Sequence, residues 1–136
     1  MNSMFSAFKF FNRPYTVRLQ QLIAPYHVTE IQWAMVRYLY EMGPATNSDI
    51  ASDWLVEKPS VTAIAQKLID QKLIYVVPGV DKRKKVMHLT EEGISIYQQL
   101  KGKIDIFHAS LLDGVTEEES QIVKSVFTKL HQNIER

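Results

Sequence analysis

The run Asp81-Lys82-Arg83-Lys84-Lys85 is a continuous stretch of five charged side chains. It separates two segments, 73–77 and 85–89, whose β-branched, aromatic and alternating residues predict a β-hairpin with a basic tip. An arginine on a narrow loop fits the minor groove of DNA, where negative potential is concentrated, and lysines beside it neutralise phosphates. We expect Asp81 to hold Arg83 through a charge-assisted hydrogen bond, so that the tip keeps one shape.

A helix just upstream supplies a second set of polar groups. The pattern predicts that it begins at Glu57 or Lys58 and ends near Lys72, with Pro59 in a first turn that does not need its N–H. Side chains on its outward face are of types that reach base edges and phosphates in the major groove. The candidate contact residues on this helix are Lys58, Pro59, Ser60, Thr62, Ala63, Gln66 and Lys67.

Two shorter helices precede this one and position it. Thr29 and Thr46 are predicted N-caps, each answered three residues later by a polar side chain, and Gly43-Pro44 separates the two helices. We expect apolar residues on the buried sides of both helices: Ile31, Met35, Tyr38, Leu39 and Met42 in the first, and Ile50, Ala51, Trp54 and Leu55 in the second. The predicted order over residues 29–89 is helix, short helix, helix and basic hairpin, which is the arrangement of a winged helix-turn-helix.

Helical segments at 1–26 and 90–136 flank this head and are predicted to form a dimerisation scaffold. Apolar residues recur there at helical spacing, in helices predicted from Ser3 to Ala24 and after the caps Thr90 and Thr116. A monomer of this size cannot easily bury so many aromatic side chains in its own core. We therefore favour their burial in a homodimer over plain core packing. The residues assigned to the dimer face are Phe5, Phe8, Phe11, Tyr15, Phe107, Leu111, Phe127, Leu130 and Ile134.

The charge is unevenly distributed along the 136 residues, although the formal net charge is only +1. Residues 56–88 hold seven bases and three acids, whereas the segments on either side carry more acids than bases. A concentrated basic segment indicates an anionic partner, with a solvated lysine cluster as the alternative. The fold class expected from all these features is mainly α with a small β-hairpin wing, in a single domain of 1–136.

Several function classes lack support in the sequence. Cysteine is absent, so thiol chemistry and thiolate metal sites are excluded. The four histidines are scattered, and we find no glycine-rich phosphate loop, nucleophile elbow or metal-binding motif, so we expect no enzyme, metal or cofactor. No apolar run is long enough to span a bilayer and no signal peptide is visible, so we expect a cytoplasmic protein.

The segment from Asp81 to Gly93 resembles the wing-to-helix signature of the MarR family of bacterial regulators. That signature is Asp-x-Arg, a basic and apolar strand, then Leu-Thr-x-x-Gly, here Leu89-Thr90-Glu91-Glu92-Gly93. The resemblance implies an obligate homodimer with interleaved first and last helices, whose two wings grip a pseudo-palindromic operator in double-stranded DNA. It also implies a repressor with a cleft for small aromatic effectors that release DNA. Trp33, Met35, Tyr38 and Trp54 are the candidates to line that cleft, and core packing is the favoured interpretation of all four.

Two positions depart from the family pattern. The residue after Thr62 is usually Arg or Lys in the family and here is Ala63, which removes an expected DNA contact. The helix end is usually glycine and here is Lys72; a left-handed lysine would cost about 1 kcal/mol relative to glycine, unless the turn has another shape. Ala63 keeps open the alternative of a winged-helix protein-interaction module without DNA binding.

Overall fold

The computed structural model describes residues 3–136. Over this range the chain forms six α-helices, one short 3₁₀-helix and a three-stranded antiparallel sheet, which confirms the predicted mainly α fold with a small β wing. The elements are α1 Met4–Ile23, a 3₁₀-helix Ala24–Tyr26, α2 Glu30–Met42, β1 Ala45–Thr46, α3 Asn47–Trp54, α4 Lys58–Asp70, β2 Ile74–Pro78, β3 Lys85–Leu89, α5 Glu91–Leu111 and α6 Glu117–Ile134.

The sheet contains a strand that the sequence pattern missed. β2 and β3 form the predicted hairpin, but β1 pairs with the other edge of β3, so the strand order is β1-β3-β2. In this pairing Ala45 lies opposite Met87, and Thr46 lies opposite Val86. A strand of two residues shows no alternation, so only the tertiary contact reveals it.

The predicted helix caps are confirmed. Thr29, Thr46 and Thr116 each form a capping box, in which the threonine oxygen accepts the backbone N–H three residues on and that residue's side chain accepts the threonine N–H. Thr90 caps α5 by accepting the backbone N–H of Gly93 at 3.1 Å. These reciprocal bonds satisfy N–H groups that have no partner within the helix, and so they set where each helix begins.

The chain divides into two compact units, one ending at Ile104 and the other spanning Asp105–Arg136, and α5 contributes to both. The core of the first unit is made by apolar side chains of α2, α3, α4, the sheet and α5; its fully buried members include Met35, Val36, Ile50, Val61, Leu68, Ile74, Met87 and Leu100. In the second unit, none of the residues of α6, all of which the structure describes, is buried in the single chain.

Three residues expected on buried sides are exposed. Ile31 and Met42 lie outside the core, Met42 with 69% of its surface accessible. Met35 and Leu39 of the same predicted stripe are buried, together with Trp33 and Val36. Leu55 is also exposed, because it follows the last turn of α3 in a left-handed conformation at φ 58°. The predicted stripe of α2 is therefore correct at Met35 and Leu39 and wrong at its two ends, Ile31 and Met42.

Stacked aromatic rings join α2 to α5 within the first unit. The Tyr97 ring of α5 lies between Trp33 and Tyr40, with centroid separations of 5.6 and 3.9 Å. The Tyr97 hydroxyl donates to Glu41 at 2.7 Å. Trp33 and Tyr40 are two helical turns apart, so both can flank one ring, and this arrangement fixes α5 against the head.

Gly93 allows α5 to start close to the end of α4. A β-carbon at this position would overlap the carbonyl oxygen of Leu73, which also accepts the backbone N–H of Thr90 at 3.0 Å. The glycine of the Leu-Thr-x-x-Gly signature therefore has a steric role, since any larger residue would push α5 away from β2.

Lys72 adopts the left-handed conformation, with φ 62°. Its N–H donates to the carbonyl of Ile69 at 2.9 Å, and its carbonyl accepts the Thr90 hydroxyl at 2.7 Å. The turn after α4 thus keeps the geometry that suits glycine, and the lysine bears the conformational strain.

We expect Lys72→Gly to raise the free energy of unfolding by about 1 kcal/mol, because glycine adopts this backbone conformation without steric strain. Chemical denaturation monitored by circular dichroism measures the change. Lys72→Ala is the control, since it removes the charge and keeps the β-carbon, and it should give no gain. Equal stabilisation by both variants would contradict the assignment of strain to the backbone.

Candidate nucleic-acid interface

The predicted outward face of α4 is exposed. Val61, Ala65 and Leu68 are buried against the head. All seven candidate contact residues are exposed, as the sequence pattern predicts; they are Lys58, Pro59, Ser60, Thr62, Ala63, Gln66 and Lys67. The helix begins after Glu57 without a side-chain cap, and Pro59 lies in its first turn. Pro59 has no backbone N–H, and the Ser60 N–H already donates to the Glu57 carbonyl at 3.1 Å, so the first turn of α4 offers few donors to an anion.

A hydrogen-bond network connects α3 to the exposed face of α4. The side-chain amide of Asn47, the first residue of α3, donates to the Thr62 hydroxyl oxygen at 2.8 Å. The same hydroxyl donates to the backbone carbonyl of Lys58 at 3.1 Å. Asn47 was missed by sequence reasoning, because the bond joins positions fifteen residues apart and no local spacing indicates it.

Gln66 lies one turn beyond Thr62 and is held by its own helix. Its side-chain amide donates to Asp70 at 3.0 Å. This bond uses one amide hydrogen and leaves a second hydrogen and the carbonyl oxygen for another partner. Those two groups match the hydrogen-bonding edge of adenine in the major groove.

The wing tip has the internal contact that the sequence predicts. Asp81 Oδ1 accepts the backbone N–H of Arg83 at 3.1 Å and lies 3.5 Å from the guanidinium Nε of the same residue. Two backbone bonds of 2.8 Å close the loop, from Gly79 N–H to the Lys84 carbonyl and from Lys84 N–H to the Asp81 carbonyl. The loop backbone is thus defined by its own bonds, while the Arg83 side chain remains 92% accessible.

All four basic residues of the tip, Lys82 to Lys85, are exposed. Behind the tip, Tyr75 and His88 form a cross-strand pair with stacked rings, their centroids 5.2 Å apart. This pair stiffens the base of the hairpin. The wing therefore presents a row of cations on a supported β-ribbon.

A cleft of about 390 Å³ separates the wing from the helices. Asn47, Thr62 and Gln66 line its helical side, and Arg83, Lys84 and Lys85 line its wing side. The predicted contact residues of α4 and of the wing thus border one open, cationic surface within the first unit. An extended anion is the type of partner that this surface favours.

Carboxylates near this surface are engaged in local bonds. The Thr46 backbone N–H donates to Asp49 at 3.0 Å and holds the pKa of Asp49 below its ordinary value. Farther round the head, the Tyr38 hydroxyl donates to Asp53, which raises the pKa of Tyr38 to about 12 because ionisation would remove that bond.

The four candidates for an effector cleft fall into two groups. Trp33 and Met35 are core residues, while Trp54 is half-buried and its ring meets that of Tyr38 edge to face.

Residues 28–86, which include α2, the helix-turn-helix and most of the wing, match the model of the MarR family. The head of this chain is therefore similar to the MarR family. The chain is a winged helix-turn-helix transcriptional regulator. Among its relatives, YwoH, an HTH-type transcriptional regulator of Bacillus subtilis, is 27% identical over 110 residues, covering 81% of this chain and 80% of the relative. FarR, an HTH-type transcriptional regulator of Neisseria gonorrhoeae, is 26% identical over 105 residues, covering 76% and 72%.

Two solved structures share the fold. Staphylococcus aureus MepR in complex with DNA has a TM-score of 0.86 at 23% identity, covering 97% of this chain and 96% of that one. Staphylococcus aureus MarR in complex with salicylate and kanamycin has a TM-score of 0.84 at 22% identity, covering 96% and 89%. The similarity covers almost the whole chain, so the flanking helices belong to the shared architecture as well as the head.

Among residues 3–136, no group of three or more His, Asp or Glu side chains is placed to hold a metal ion. None of the helices described there is both long and apolar enough to cross a bilayer.

Proposed function

We propose that this chain is a member of the MarR family and acts as a cytoplasmic, homodimeric repressor that binds a pseudo-palindromic operator in double-stranded DNA. The observation that carries the proposal is the shared cationic surface, on which the exposed face of α4 and the basic wing border one cleft. A helix and a β-ribbon so arranged can engage the major groove and the adjacent minor groove at the same time.

Each part of the surface has a distinct task in this proposal. The N-terminal turns of α4 enter the major groove, where Ser60, Thr62 and Gln66 meet base edges and Lys58 and Lys67 meet bases or phosphates. Arg83 extends into the minor groove from the closed wing loop. Lys82, Lys84 and Lys85 neutralise the flanking phosphates, and Asp81 orients Arg83.

We propose that a second copy of the chain buries the exposed apolar residues of α1 and α6. Phe5, Phe8 and Phe11 of α1 are exposed in the single chain, as are Phe127 and Ile134 of α6. Exposed aromatic surface on this scale is typical of an interface. One head binds DNA weakly, so pairing two heads on two half-sites supplies much of the affinity.

Release by a small aromatic effector completes the proposal. The S. aureus MarR structure, which shares the fold, contains salicylate. Repression follows if the bound dimer excludes other proteins from its operator. An effector that favours a different spacing of the two heads would release the dimer from DNA and so end repression.

A protein-interaction module without DNA binding is the second candidate function. Ala63 favours it, since this exposed position on α4 lacks the cation usual in the family. A pull-down that recovers a stoichiometric protein partner, together with no DNA affinity, would select this candidate over the first.

Binding to a duplex from the region upstream of the protein's own gene should weaken steeply with salt. Eight wing cations in a dimer, each neutralising a phosphate, predict a loss of about 10³–10⁵-fold between roughly 50 and 200 mM salt. Fluorescence anisotropy at several salt concentrations measures the slope. Absence of binding to any duplex at low salt would refute the proposed function.

We expect Arg83→Ala to weaken operator binding by about tenfold or more, because it removes both a phosphate-neutralising charge and the minor-groove contact. Lys129→Ala, on α6, is the matched control for loss of one exposed cation and should change the affinity by less than about twofold. Equal effects of the two variants in the anisotropy assay would argue against a role for the wing.

Phe8→Asp should convert the dimer into monomers, since a carboxylate within an apolar interface is left without solvation. Phe10→Asp is the matched control: Phe10 is 75% accessible and lies on the opposite side of α1 by helical spacing. Sedimentation velocity measures the oligomeric state. Dimers in both variants, or monomers in both, would contradict the assigned dimer face.

A further inference from the structure

The hydrogen bonds of Thr62 determine which part of this side chain faces a ligand. Its single hydroxyl hydrogen is donated to the Lys58 carbonyl, and its oxygen accepts the Asn47 amide. A hydroxyl has one hydrogen and two lone pairs, so it retains no donor and one lone pair. Thr62 therefore cannot donate to a phosphate or to a purine acceptor while this network is intact.

The methyl group is what remains for Thr62 to present. The residue is exposed and lines the cleft beside α4, although its oxygen is turned toward Lys58 and α3. Pro59 and Ala63 precede and follow it at spacings of three and one, and both are exposed. In a helix, positions 59, 62, 63 and 66 share one face. The first two turns of α4 thus carry a small apolar patch of Pro59, the Thr62 methyl and Ala63.

We propose that this patch recognises the 5-methyl group of a pyrimidine in the major groove, with Asn47 as the positioning residue that turns the Thr62 methyl outward. The proposal rests on the proposed function, since it specifies what α4 reads in DNA. Apolar contact with a 5-methyl group distinguishes thymine from other bases without a hydrogen bond. Ala63 then gains a role, because a long cation at that position would cover the patch.

The chemical group has two natural sources, thymine and 5-methylcytosine, and base substitutions separate them. The probe is the duplex that the wild-type protein selects from a randomised library. Thymines in it are replaced one at a time by uracil, which removes only the methyl group. We expect at least one position in each half-site at which uracil weakens binding about fourfold, which corresponds to about 0.8 kcal/mol for one buried methyl.

Two substitutions of Thr62 test which of its groups is read. Thr62→Val keeps the methyl and replaces the hydroxyl, so it should retain both affinity and uracil sensitivity. Thr62→Ser keeps the hydroxyl bonds to Asn47 and Lys58 and removes the methyl, so thymine and uracil duplexes should bind alike. Thermal unfolding of both variants checks that the head is folded.

Three results would overturn the inference. A loss of more than about tenfold in Thr62→Val would show that the oxygen is the contact. Undiminished uracil sensitivity in Thr62→Ser would place the methyl reader elsewhere. At the sensitive position, 5-methylcytosine paired with guanine should bind better than cytosine paired with guanine, and equal binding would mean that another part of the base is read.

Failure of the inference is distinguishable from failure of the proposed function. Wild-type protein that binds the duplex with steep salt dependence, but ignores every uracil substitution, remains a DNA-binding regulator whose α4 reads other groups. Wild-type protein that binds no duplex at low salt refutes both.

Discussion

The head depends on the short segment of residues 45–47, which contacts three elements: the wing sheet, α3 and α4. Thr46 pairs with Val86 in the wing sheet and also caps α3 through its capping box with Asp49. Asn47 follows immediately and bonds to Thr62 on α4. The wing, α3 and α4 are therefore linked through consecutive residues of the chain.

A second constraint ties this head to the long helix that follows it. Gly93 lets α5 start against the Leu73 carbonyl, and the stack of Trp33, Tyr97 and Tyr40 fixes its next turns to α2. Both contacts lie within the first unit. A change in the direction of the first turns of α5 would therefore be transmitted to α2 and, through the core, to α4.

Much of the fold was predictable because its signals are local. The capping boxes at Thr29 and Thr46 depend on a spacing of three residues, and the wing contact between Asp81 and Arg83 spans two. The failures arose where tertiary contacts decide. β1 exists only because β3 offers an edge, and Met42 is exposed because the rest of the head packs against another face of α2. Among the site residues, Asn47 had no local signal, and the role of Thr62 changed once its partners were known.

The closed wing loop has a thermodynamic consequence for association. Its backbone is already held by bonds among Gly79, Asp81 and Lys84, so little chain entropy is left to lose when a ligand arrives. Flexible basic arms must be ordered on binding, whereas this loop needs only to immobilise its side chains. In the proposed complex, the release of counterions from the nucleic acid then adds a favourable entropic contribution. A wing that is preorganised in this way lets a chain with a formal net charge of only +1 use a few cations efficiently.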